Sequence, residues 1–103
     1  MKLLRLFSDS KESYYVRCEN LQWQVIENCV ALIDPVENEM IRLNEIGTWI
    51  WQLLESRISL DEIVKKTHQE FDAPLKQIRK EAAAFIKRLE EMELIKKVEE
   101  PSS

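Results

Sequence analysis

The sequence predicts an α+β fold of winged helix-turn-helix type, a three-stranded antiparallel sheet followed by three helices. Three observations predict it. Residues 22–43 hold three short β-prone runs parted by turn residues. Residues 44–93 carry apolar side chains at helical spacing, interrupted twice. The length, 103 residues, leaves room for one domain. Hydrophobic residues make up 45% and charged residues 33%, ordinary globular proportions that argue against a chain disordered throughout.

Trp23 and Val25 alternate with Gln22 and Gln24, the period of a half-buried strand. Glu27-Asn28 supplies a turn, because Asn tolerates left-handed backbone. Cys29 to Ile33 is a continuous apolar run, as expected of a strand covered on both faces. Asp34-Pro35 stops it, and after a polar connection Met40 to Leu43 forms a third strand, with Ile41 and Leu43 on one face.

Asn44 is a natural N-cap for the first helix, whose apolar positions are Ile46, Trp49, Ile50, Leu53 and Leu54. Gly47 in its first turn costs roughly 1 kcal/mol relative to Ala, which points to close approach of another backbone. Trp51 lies off the stripe and either packs under another element or joins a contact surface. Ser59-Leu60-Asp61-Glu62 reads as a capping box that opens the second helix, with Ile63, Val64, Thr67 and Phe71 buried. Asp72-Ala73-Pro74 breaks the chain and starts a third helix, with Pro in its first turn. Its core stripe is Leu75, Ile78, Ala82, Phe85, Ile86, Leu89 and Met92, and Leu94 to Val98 is a candidate closing strand. The chain divides into an N-terminal arm or leading strand (1–21), the folded domain (22–98) and a flexible tail (99–103).

The chemistry expected of this chain is binding. It has one glycine, so a glycine-rich phosphate loop is excluded. Cys18 and Cys29 lack close metal or redox spacing, and His68 is the only histidine. A metal site, a cofactor and a Ser-His-Asp or Cys-His nucleophile are therefore not expected. The carboxylates Glu90, Glu91 and Glu93 form a charge run near a helix end and make no catalytic case. The opening residues are too short and interrupted for a signal segment, and no long apolar span follows. A cytoplasmic protein with no membrane partner is expected.

The third helix also carries a basic stripe. At about 100° per residue, Lys76, Arg79, Lys80, Ala83 and Lys87 fall together beside the apolar face, with Ala83 leaving a shallow gap. The stripe reads either as a solvated basic face or as the wall of a groove for an acidic or amphipathic segment. On the sheet, Met40, Ile41, Arg42 and Leu43 offer a candidate free edge, whose unpaired main-chain groups can take an added strand.

The segments WQVIENCVALIDP (23–35), IRLNEIGTWIWQLL (41–54), ISLDEIVKKTHQEF (58–71) and AFIKRLEEMELIK (84–96) resemble the PqqD-like proteins. Their fold is also called the RiPP recognition element. The most specific part is RLNEIGTWIW, an LN-x-x-G pattern followed by an apolar helix with Trp. The chain departs from the family pattern in three places: Ser56-Arg57 where relatives often have Gly, Glu93-Leu94 where they often have Gly-Leu, and Glu81 where an Asp is common. The resemblance implies a non-catalytic peptide chaperone. It implies binding of a precursor's leader peptide as an added strand between the third strand and third helix, and presentation to a modifying enzyme such as a radical SAM protein. In that setting the stripe Lys76, Arg79, Lys80 and Lys87 attracts an acidic leader.

Two other readings stay open on the residues. One is a winged-helix DNA-binding transcriptional regulator with the third helix in the groove. The formal net charge of −4 argues against the broad phosphate footprint it needs, so no nucleic-acid partner is expected. The other is an interaction module that pairs with a second copy of itself as a homodimer.

Overall fold

The computed structural model describes residues 13–99. Its elements in chain order are β1 (Tyr14–Arg17), β2 (Trp23–Ile26), β3 (Cys29–Ile33), β4 (Met40–Arg42), α1 (Glu45–Leu53), β5 (Ile58–Ser59), α2 (Leu60–Glu70), α3 (Leu75–Glu91) and β6 (Ile95–Val98). Most of the expected arm (residues 1–12) and of the expected tail (100–103) lies outside the described residues.

The expected meander is present as the antiparallel sheet β2-β3-β4. Glu27 and Asn28, at φ 54° and 70°, form its first turn, the left-handed pair that matches the twist of a two-residue hairpin. Val30, Ala31 and Leu32 of the central strand are buried, as the apolar run requires. The half-burial expected of β2 is not found: Trp23 is 39% and Val25 54% exposed. Both share a sheet face with the buried Leu32 and Val30, but β2 lies at the margin, where little packs over it.

A second antiparallel sheet, β5-β1-β6, was not expected as such. Tyr14–Arg17, within the stretch read as an arm or leading strand, is its central strand. The Arg17 N–H donates to the Leu54 carbonyl and the Cys18 N–H to that of Leu94, tying this sheet to the end of α1 and the start of β6.

The helices pack through Ile50, Trp51, Ile63, Val64, Ile78, Ala82, Ile86 and Leu89 into one core with Val30 and Leu32. Their ends follow local chemistry. The Asn44 side chain accepts from the Gly47 N–H at 2.8 Å. Ser59 Oγ accepts from the Glu62 N–H at 3.1 Å, while the Glu62 carboxylate turns to Lys66 at 3.9 Å. Half of the capping box is thus used. Pro74 is the N-cap of α3, one position before the expected first turn. Ser59 is buried, and Ser59→Ala is expected to cost about 1 kcal/mol in chemical denaturation; no change would mean α2 starts elsewhere.

The end of α3 is a Schellman motif with the wrong residue for it. The Leu94 N–H returns to the Leu89 carbonyl and the Glu93 N–H to that of Glu90, with Glu93 left-handed at φ 63°. A side chain there costs roughly 1 kcal/mol that Gly avoids. Glu93→Gly is therefore expected to raise stability by about that amount, and a loss would contradict the motif.

No helix among the described residues is long and apolar enough to cross a membrane. No group of three or more His, Cys, Asp or Glu among them is arranged to hold a metal.

Candidate functional site

The site starts from where β4 ends. Antiparallel ladders alternate: one residue points its N–H and C=O at the neighbouring strand, and the next points them away. The Leu43 N–H donates to the Val30 carbonyl at 2.8 Å, and the Asp34 N–H donates to the Glu39 carbonyl at 2.8 Å. Glu39, Ile41 and Leu43 therefore face β3, while the main-chain groups of Met40 and Arg42 face away from it. Among the described residues no strand pairs with β4 on that side. α1 is locked to the same sheet, because the Val30 N–H, left free past the end of β4, donates to Thr48 Oγ1 at 2.9 Å.

Beside this edge lies a cleft of about 290 Å³. One wall is the β4–α1 junction: Arg42, Leu43, Asn44, Ile46, Gly47 and Ile50. The other is α3, through Ile78, Glu81, Ala82 and Phe85, and Thr67 of α2 also lines it. The lining is apolar except at Glu81, Arg42, Asn44 and Thr67, so the cavity accepts an apolar side chain while polar groups stand around it. Thr67 Oγ1 is buried with no hydrogen-bond partner among the described residues.

Gly47 has the close neighbours its cost implies, but they are side chains and not another backbone. A Cβ there would stand 3.3 Å from Asn44 Oδ1 and from Leu43 Cβ, and 3.6 Å from Phe85 Cζ. The missing methyl keeps this wall open without disturbing the cap.

Of the expected site residues, Arg42 and Leu43 line the cleft, and Met40 and Ile41 continue the same strand. The basic stripe does not line it. Lys76, Arg79, Lys80 and Lys87 are exposed and Ala83 is half-buried, but none is on the cleft wall. The reason is angular. The buried face of α3 has two flanks, and the stripe lies on the flank away from β4. There Arg79 donates to Asp61 of α2 at 2.9 Å. Ala82 is the small residue that opens the cleft, about 100° around the helix from Ala83. Ile78, Ala82 and Phe85 were assigned to the core by their periodicity, which does not distinguish a core position from one facing a groove. Glu81 carried no signal beyond its place in the family pattern.

Trp51 packs under another element. It is fully buried, with Trp23 edge-on at 6.0 Å and the Arg17 guanidinium 5.3 Å from its ring centre.

Comparison with known proteins gives two matches. The family model described as PqqD, Coenzyme PQQ synthesis protein D, matches residues 29–95, which include every element of the cleft. A solved structure described as TbiB1 in complex with the TbiA(beta) leader peptide superposes with a TM-score of 0.67. It covers 79% of this chain and 94% of that one at 23% identity, which is a likeness of fold. A search of curated proteins found no match. With a family model spanning well over half of its length, the chain belongs to the PqqD family.

Proposed function

We propose that this protein binds the leader region of a ribosomally made precursor peptide by strand addition and presents it to a modifying enzyme. The observation that carries the reading is the outward-facing edge at Met40 and Arg42, set against an apolar cleft whose far wall is α3. An extended peptide on that edge gains main-chain hydrogen bonds, and its alternate side chains point toward the cleft. Family membership and the leader peptide held by the structural neighbour support the same reading. The protein acts by binding and not by catalysis, in the cytoplasm, where the precursor and the modifying enzyme, such as a radical SAM protein, meet.

Calorimetric titration tests this. The leader of a precursor encoded beside this protein's gene, about 10–20 residues long, is expected to bind in the nanomolar to low-micromolar range, because ordering it offsets much of the contact energy. Double-stranded DNA is expected to bind only weakly and to be released by salt. Tight, sequence-dependent DNA binding at physiological salt, with no peptide binding, would overturn the proposal.

A further inference from the structure

The basic stripe suggested an acidic leader, but it stands away from the cleft, whose own charged lining residues are Arg42 and Glu81. Among the described residues Arg42 is the one cation that lines the cleft, and its guanidinium is already engaged by Glu27 at 3.7 Å. On the α3 wall, Glu81 is exposed and accepts a hydrogen bond from the neutral Gln77 amide at 3.2 Å. No cation pairs with Glu81 among the described residues. Glu39 and Glu45 flank β4 in sequence and are exposed as well. Arg88 follows Glu81 on the same side of α3, about 10 Å along the axis and beyond the cleft lining. Glu81 is therefore the lining charge left without an ionic partner among the described residues, and the lysines of α3 do not line the cleft.

Resting on the leader-binding reading above, we propose that Glu81 is a specificity residue and that the leader of this chain carries a lysine or arginine beside its apolar anchor. A strand on the β4 edge places the side chain that enters the cleft beneath the α3 wall. A neighbouring long cationic side chain then reaches the Glu81 carboxylate at the rim. Such a rim charge contributes modestly to affinity and more to selectivity and encounter rate. An acidic leader meets repulsion at the same place.

The test selects random dodecapeptides from a displayed library on the full chain, then titrates the winners against variants. Enriched peptides are expected to hold Lys or Arg within two positions of an apolar residue. Their affinity is expected to fall about fivefold with Glu81→Gln and further with Glu81→Lys, more steeply at low salt. Glu81 is exposed, so circular dichroism should show both variants folded. Winners rich in Asp or Glu, or winners that Arg42→Pro releases but Glu81→Lys binds unchanged, would overturn the role of Glu81 and leave leader binding standing. Winners indifferent to Arg42→Pro, or no winners at all, would overturn the leader-binding reading and this inference with it.

Discussion

Replacing Arg42 with proline is expected to weaken leader binding by about a hundredfold or more while leaving the domain folded. Proline removes an N–H and adds a ring where that N–H was. In the middle of a ladder this breaks the sheet, but on the outer side of an edge strand it is tolerated. The alternation fixed by Leu43 bonding to Val30 and Asp34 bonding to Glu39 puts the Arg42 N–H on the outer side. The β3–β4 ladder therefore keeps its bonds. A peptide strand loses a donor, buries an unmatched carbonyl and meets the ring, which together account for the size of the effect. Arg42→Ala serves as the control: it keeps the N–H and loses only an exposed side chain whose ion pair with Glu27 is worth little. Calorimetry and thermal melting of both variants check this. If proline and alanine bind alike, the peptide does not pair with β4.

The second large effect is on stability. Trp51→Ala is expected to cost about 3 kcal/mol in chemical denaturation, the lower end for an aromatic removed from a core. Trp51 is among the largest fully buried side chains and holds Trp23 and Arg17 against the body of the protein. Its cost stays at the lower end because the indole Nε1 is buried without a partner among the described residues, a penalty that alanine relieves. Trp23→Ala, at the sheet margin, should cost distinctly less. A loss under about 1 kcal/mol for Trp51→Ala would mean that the site collapses around the change.

Much of this fold was legible because it is written locally. Asn44 and Ser59 cap the helices they were assigned to, Asp72 to Pro74 separates α2 from α3, and the three runs from Trp23 to Arg42 pair in sequence order. The second sheet was not legible as a whole. Tyr14 pairs with Ser59 and with Val98, partners more than forty residues away, in strands of two to four residues that carry no period of their own. The site was half legible for a related reason. The edge at Met40 to Leu43 follows from strand order, but helical periodicity gives the buried face of α3 without saying which flank meets β4. Lys76, Arg79, Lys80, Ala83 and Lys87 were placed on the groove wall, yet packing puts Ile78, Glu81, Ala82 and Phe85 there. Tertiary contacts decide that choice, among them Arg79 with Asp61.

Residue-resolved amide exchange with and without the leader peptide tests strand addition most directly. Ile41 and Leu43 face β3, so their amides are expected to be protected in the free protein and to change little. Met40 and Arg42 face outward and are expected to exchange quickly when free and to slow by about tenfold or more in the complex. Protection that appears instead along β2 or β6, or a complex in which Met40 and Arg42 exchange as fast as before, would contradict the account.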